Sequence, residues 1–291
     1  MDTTGNALPV AIVIGGSGGM GQACARRLAT DHLVVLANRD VGKSEAVARA
    51  FAEDGLHAVA IACDVTRPES VAEMVRRSAE LGSVDVVALV AGLSPSMADG
   101  RRIMHVNLVG AATVVEVVLP VIAPGGVAVL VSSVAGHRVA AGSEVTALLD
   151  DPLAESFLDD LEVALGRELT AMEGYQFSKF GEIRMARRLV TRFAERGARI
   201  VSLSPGIIET PMGELEFREN PKKRALFQRS PLARVGTLDE ICDAMEFLCS
   251  DRAAFITGTD LLVDGGLTSA VEFDLPDPSG KPIDATLVRN S

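Results

Sequence analysis

Residues 10–21 read Val10-Ala11-Ile12-Val13-Ile14-Gly15-Gly16-Ser17-Gly18-Gly19-Met20-Gly21, and an amphipathic segment follows at once. Five apolar residues in an unbroken run, without polar alternation, fit a strand buried on both faces of a sheet. Glycine lets the backbone turn sharply and approach a bound group closely. The helix behind it offers free N–H groups and a partial positive charge, which suit a pyrophosphate. A glycine-rich turn alone says little, because turns need glycine anyway. Its place between a first strand and a helix gives it weight, and makes Gly15, Ser17, Gly18, Gly19 and Met20 candidate dinucleotide contacts.

Outward from this unit the same rhythm repeats. Apolar runs at 33–37, 58–62, 84–90, 126–132, 199–203 and 260–263 read as strands. Helical patterns at 20–30, 42–54, 68–82, 101–122, 175–197 and 238–249 lie between them. The alternation predicts an α/β fold: a Rossmann-type doubly wound parallel sheet in three α/β/α layers, forming a single domain over residues 1–291. Two stretches break the rhythm. Residues 137–172 carry Leu148, Leu149, Leu153, Phe157, Leu158, Leu161, Leu165 and Leu169 at helical spacing among acids, predicting one or two inserted amphipathic helices. The tail, about 267–291, is rich in Pro and Asp and is expected to wrap the surface, reach a partner subunit or stay partly disordered.

Composition narrows the function classes. The chain has 291 residues, 48% of them hydrophobic, and a formal net charge of −11. Such an acidic chain repels nucleic acid and anionic membrane surfaces, so neither is expected as a partner. Cys24, Cys63, Cys242 and Cys249 form no CxxC pair and have no histidine cluster beside them, so no metal site is expected. The N-terminal residues lack a signal-peptide pattern, and no apolar run is long enough to span a bilayer; a soluble cytoplasmic protein is expected.

The second strand ends at Asn38-Arg39, where the adenosine ribose lies in a fold of this kind. An acid there would hold the 2′-hydroxyl of NAD. Arg39 instead suits the 2′-phosphate of NADP, which tilts the expectation toward NADP(H) over NAD(H). As a plain alternative, Arg39 is an exposed arginine at a strand end. Asp64, closing the third strand, could accept a bond from adenine or simply cap a turn. Val90-Ala91-Gly92 closes the fourth strand with small residues that leave room for a cofactor.

Tyr175-Gln176-Phe177-Ser178-Lys179 places a phenol and an ammonium at i and i+4, on one helix face. A free phenol, with a pKa near ~10, is a poor base at neutral pH, and a neighbouring ammonium favours the phenolate. Tyr175 is also the chain's one tyrosine. Ser132-Ser133 ends a strand at the edge where ligands sit in such sheets, so a hydroxyl there could hold a substrate carbonyl; a serine pair starting a turn is the plain alternative. Asn107 sits inside a helical pattern, pointing either to a bent helix or to a satisfied buried amide. In Ser204-Pro205-Gly206-Ile207-Ile208-Glu209-Thr210, backbone groups near Ile208 and the Thr210 hydroxyl could hold a carboxamide.

Taken in order, these residues resemble the short-chain dehydrogenase/reductase family, from about residue 10 to about residue 266. The match includes Gly15, Gly19 and Gly21, Asp64-Val65, Ala91-Gly92, Asn107, Ser133, Tyr175, Lys179, Pro205-Gly206, Thr210 and Val263-Asp264-Gly265-Gly266. The resemblance implies that Tyr175 exchanges the proton, Lys179 lowers its pKa and binds the nicotinamide ribose, Ser133 orients the carbonyl, and Asn107 positions a relay water. Ile14 stands where the family usually has Thr, and Val90 where it usually has Asn. The spacing of 42 residues between Ser133 and Tyr175 is far longer than in the commonest members and is similar to that of bacterial 3α-hydroxysteroid dehydrogenase/carbonyl reductases.

The resemblance therefore implies NAD(P)(H)-dependent interconversion of a secondary alcohol and a ketone, with a bulky apolar substrate such as a hydroxysteroid or a cyclic or aryl ketone suggested by the Leu-rich insertion. It also implies a homodimer or homotetramer. A non-catalytic dinucleotide-binding sensor or scaffold is the competing expectation, and the Ser133, Tyr175 and Lys179 set argues against it. An epimerase or dehydratase would need a substrate domain longer than the tail.

Overall fold

The computed structural model describes residues 8–209, 230–273 and 275–276. Strand β1, Val10–Ile14, is buried along its whole length. Alternate side chains serve opposite faces: Val10, Ile12 and Ile14 enter one core, while Ala11 and Val13 enter the other. Each fully buried Val or Ile contributes roughly 1.5–3 kcal/mol, so a strand that fills two cores has no solvent face to spare for a polar residue.

Parallel strands pair on both sides of it. The order is β3-β2-β1-β4-β5-β6-β7, with β2 Leu33–Asn38, β3 Ala58–Ala62, β4 Val84–Leu89, β5 Ile122–Val131, β6 Arg199–Pro205 and β7 Asp260–Val263. Helices α1 Gly19–Leu28 and α2 Val41–Glu53 cover one face through Cys24, Leu28, Val47 and Phe51. Helix α3, Pro68–Leu81, covers the other through Val71, Met74 and Val75. The predicted three-layer doubly wound sheet is what the chain forms.

Two helical expectations need correction. Residues 101–122 are not one helix: α4 Gly100–Met104 passes through a π-helical turn, His105–Val109, into α5 Gly110–Val118, and Ile122 already begins β5. The apolar run through this region has no period that could separate a buried helix end from a buried strand start. Likewise residues 175–197 belong to α8 Ala171–Arg188 and a short α9 Val190–Ala194, broken at Leu189.

The stretch before α8 forms two helices, α6 Ser143–Leu149 and α7 Phe157–Leu165. Val145, Leu149, Phe157, Leu161 and Leu169 join the same core as Met104, Leu108 and Met185. Arg101 of α4 holds α7 through Asp159 at 2.7 Å and Glu162 at 2.6 Å, and Arg184 of α8 holds Asp150 at the end of α6 at 2.6 Å. Helices α10 Leu238–Cys249 and α11 Leu267–Glu272 follow. The tail beyond Leu275-Pro276 and the segment 210–229 lie outside the described residues.

Candidate active site

The glycine turn is shaped by two collisions that only glycine avoids. Gly15 has a φ of +89°, and a methyl there would lie 2.7 Å from the backbone nitrogen of Ala91. A methyl on Gly21 would lie 2.1 Å from the Gly15 carbonyl oxygen, so α1 can sit this close only without a side chain. Gly18 and Gly19 instead face open space. No side chain caps the N-terminus of α1, and its first turn carries no acid. Uncapped N–H groups facing open space fit an anionic pyrophosphate. Ser17 and Met20 flank this opening.

The other nucleotide candidates end neighbouring strands on the same edge. Asn38 Nδ2 donates to Ser17 Oγ at 2.5 Å, tying the end of β2 to the glycine turn, and Arg39 beyond it is exposed. Asp64 Oδ1 accepts from Thr66 N at 3.0 Å and Thr66 Oγ1 at 2.7 Å, so it does cap a turn. Burial works to raise its pKa, but the Thr66 bonds, with Arg39 and Arg102 nearby, hold it below the usual carboxylate range. Val65 packs under Gly110 of α5. Ala91 N bonds the Ile14 carbonyl at 2.8 Å, joining the ends of β1 and β4. Gly206 N bonds the Val263 carbonyl at 2.8 Å directly after Pro205, and Ile208 bridges to Gly236. Thr210 lies outside the described residues.

The chemical candidates converge around α8. Helix α8 begins in a capping box, Thr170 with Glu173, and its first turn is pressed against α4: a methyl on Gly174 would lie 2.4 Å from the Gly100 carbonyl oxygen. That contact sets the height of Tyr175, the next residue, which is half-buried. Lys179, one turn on, is 5% exposed. Its Nζ donates to the Val131 carbonyl at the end of β5 at 2.8 Å and to Glu182 Oε2 at 2.9 Å and Oε1 at 3.0 Å.

The two serines separate by role. Ser132 is buried and its Oγ donates to the Lys179 carbonyl at 2.7 Å. Ser133 is half-buried and caps the 3-10 turn Val134–Arg138 through Ala135 N at 3.2 Å. In that turn, burial holds the Arg138 guanidinium below its usual basicity, while Asp264 and Tyr175 act in the opposite sense; Arg138 therefore lies within electrostatic reach of Tyr175.

Asn107 satisfies both of its readings at once. It sits in the π-helical turn, and its amide is fully paired: Oδ1 accepts from Leu93 N at 2.8 Å, and Nδ2 donates to the Leu93 carbonyl at 3.1 Å and Ser178 Oγ at 3.2 Å. A methyl on Gly92 would lie 3.3 Å from Asn107 Oδ1 and 3.6 Å from Lys179 Nζ, so Gly92 stands between the two. Sequence reasoning missed Ser178 and, above all, Glu182. An acid three residues past Lys179, on the buried side of α8, was the available signal.

Among the described residues no three His, Cys, Asp or Glu side chains gather as a metal site, and no helix is long and apolar enough to cross a membrane. The cysteines are free thiols.

The family model described as short chain dehydrogenase matches residues 9–145, and one described as Enoyl-(Acyl carrier protein) reductase matches residues 163–268. The chain is 32% identical over 268 residues to the Short-chain dehydrogenase/reductase bsc3 of Alternaria brassicicola, covering 90% of this chain and 97% of that one. It is 30% identical to 3beta-hydroxysteroid dehydrogenase 1 of Eggerthella lenta, covering 88% and 92%. A solved structure of 7 alpha-hydroxysteroid dehydrogenase, complexed with NADH and 7-oxo glycochenodeoxycholic acid, superposes with a TM-score of 0.72 at 22% identity, over 91% of this chain and 98% of that one.

Proposed function

Because this chain belongs to the short-chain dehydrogenase/reductase family, and so is an oxidoreductase acting on CH–OH groups with NAD(P)(H), we propose that it interconverts a bulky apolar secondary alcohol and its ketone, with Tyr175 as the proton-transfer group. The observation that carries the reading is that α8, which bears Tyr175 and Lys179, is bonded to the end of β5 through Val131 and Ser132 and to the π-helical turn through Asn107 and Ser178.

The nicotinamide supplies or accepts the hydride when bound. Tyr175 Oη takes the substrate hydroxyl proton in oxidation and returns it in reduction. Lys179 stands on the same helix face, and its ammonium holds the ribose once one of its N–H bonds to Val131 or Glu182 is released. Ser133 Oγ holds the substrate oxygen, whereas Ser132 is spent on the backbone of α8. Asn107, in the π-helical turn, positions the relay water beside Lys179. The glycine turn and the α1 N-terminus receive the pyrophosphate, and Arg39 favours a 2′-phosphate, hence NADP(H) over NAD(H). A hydroxysteroid or a cyclic or aryl ketone is the proposed substrate class, supported by the hydroxysteroid relative and by the apolar α6–α7 insertion.

A panel of such alcohols and ketones, run with both NADPH/NADP and NADH/NAD, tests the reading. Turnover of at least one cyclic substrate is expected. Tyr175→Phe should then lower kcat by about 100-fold or more with cofactor affinity retained. Full activity in Tyr175→Phe sinks the assignment.

A further inference from the structure

Lys179 Nζ meets three acceptors, the Val131 carbonyl and both oxygens of Glu182, and an ammonium has three N–H bonds to give. Glu182 itself is 1% exposed. A buried carboxylate is costly unless paired, and Lys179 is the partner within bonding distance. A ribose can therefore be held by Lys179 only if one of these acceptors gives up or shares a donor, and Glu182 holds two of the three.

Resting on the functional reading above, we propose that Glu182 is a positioning residue for the reaction: its buried carboxylate grips Lys179 Nζ through both oxygens, and so withholds ammonium charge from Tyr175 and N–H donors from the cofactor ribose. Ionised Glu182 holds the ammonium and neutralises it. Protonated Glu182 loosens that grip, and the ammonium turns its charge and donors outward.

The charged surroundings favour this exchange near neutrality. Burial pushes the Glu182 carboxyl up to about 7, against the pull of the Lys179 charge and its hydrogen bonds, and Asp260 of β7 adds to the upward push. Asp260 is in turn bonded to Ser202 and Ser204 of β6, and to His137 of the turn after β5 at 2.8 Å. The groups facing Glu182 are thus Lys179 on its own helix and Asp260, with its His137 partner, across from it.

The full-length protein, Glu182→Gln and Glu182→Asp test the proposal. NADH is titrated by fluorescence, and the rate of alcohol oxidation is followed against pH. In the wild type, NADH should bind about threefold or more weakly at about pH 8 than at about pH 6, the worth of one hydrogen bond. Glu182→Gln should abolish that trend and move the rising limb of oxidation to lower pH by about one unit. Glu182→Asp should restore the pH dependence of affinity. A purely structural Glu182 would lower thermal stability in Glu182→Gln but leave both pH profiles in place, and that result overturns the proposal. A flat affinity profile in the wild type overturns it without any variant. Wild-type protein that binds NADH yet turns over no alcohol or ketone defeats the functional reading instead, and the affinity profiles then still judge Glu182.

Discussion

Ser132 Oγ donates a 2.7 Å hydrogen bond to the main-chain carbonyl of Lys179, stitching the end of β5 to the middle of α8. The bond fixes where along the strand edge Tyr175 and Lys179 stand. Adjacent Ser133 caps its own turn and keeps its hydroxyl half-exposed. Ser132→Ala should therefore cost about 1 kcal/mol of stability, read from urea unfolding, with a modest loss of kcat. Ser133→Ala should cost about 0.5 kcal/mol, the low end for a lost half-exposed cap, and lower kcat by about 100-fold. The reverse pattern would exchange the two roles.

The glycine turn makes a second paired prediction. Gly18 faces open space with an extended backbone that any residue adopts, so Gly18→Ala should fold normally while weakening NADPH and NADH binding. At Gly21 a methyl collides with the Gly15 carbonyl at 2.1 Å, so Gly21→Ala should destabilise the protein itself. Melting temperature with and without cofactor separates the cases. Equal effects of the two substitutions on folding would contradict the geometry.

The insertion belongs to the core as well as to the site's surroundings. Leu161 is wholly buried and belongs to the same core cluster as Met104, Leu108 and Met185. Leu161→Ala should cost about 2–5 kcal/mol in chemical denaturation, as a cavity in a packed core does. A loss below about 0.5 kcal/mol, typical of surface sites, would mean that the insertion is loosely attached.

Acid should loosen the start of α8. Glu173 bonds Arg167 and closes the capping box with Thr170, and these bonds, Arg167's first, hold its carboxyl at about 2 against the opposing effect of burial. Its folded pKa lies below its ordinary value of 4.5, so its stabilisation is complete above that value and is lost as pH falls toward about 2. Glu173→Gln should lower stability at neutral pH and flatten the acid side of a melting-temperature profile over that window. An unchanged acid profile would show that the cap is not ionised in this way.

Much of the arrangement could be read locally. The run from Val10 to Gly21 carries its strand, its turn and its helix start within twelve consecutive positions, because burial on both faces, sharp turning and helix initiation are short-range demands. Tyr175 and Lys179 share a face by helical periodicity alone. The helix break at Asn107 was half legible, as an amide in a helical pattern. The boundary between α5 and β5 was not, because Val114, Val115, Val118 and Ile122 are buried alike whichever element they join.

By itself the sequence determined the alternating strands and helices, the glycine turn, and the phenol–ammonium pair, since each depends on residues within a turn or two of one another. Tertiary structure alone decided which serine ties down α8 and which faces outward, that Asn107 reaches Leu93 and Ser178, and that the Lys179 ammonium is gripped by a buried Glu182. Those outcomes depend on which donor meets which acceptor once strands β4 and β5 and helix α8 are packed together. Burial then converts an ordinary carboxylate into a competitor for the ammonium's donors, a property no linear spacing can assign.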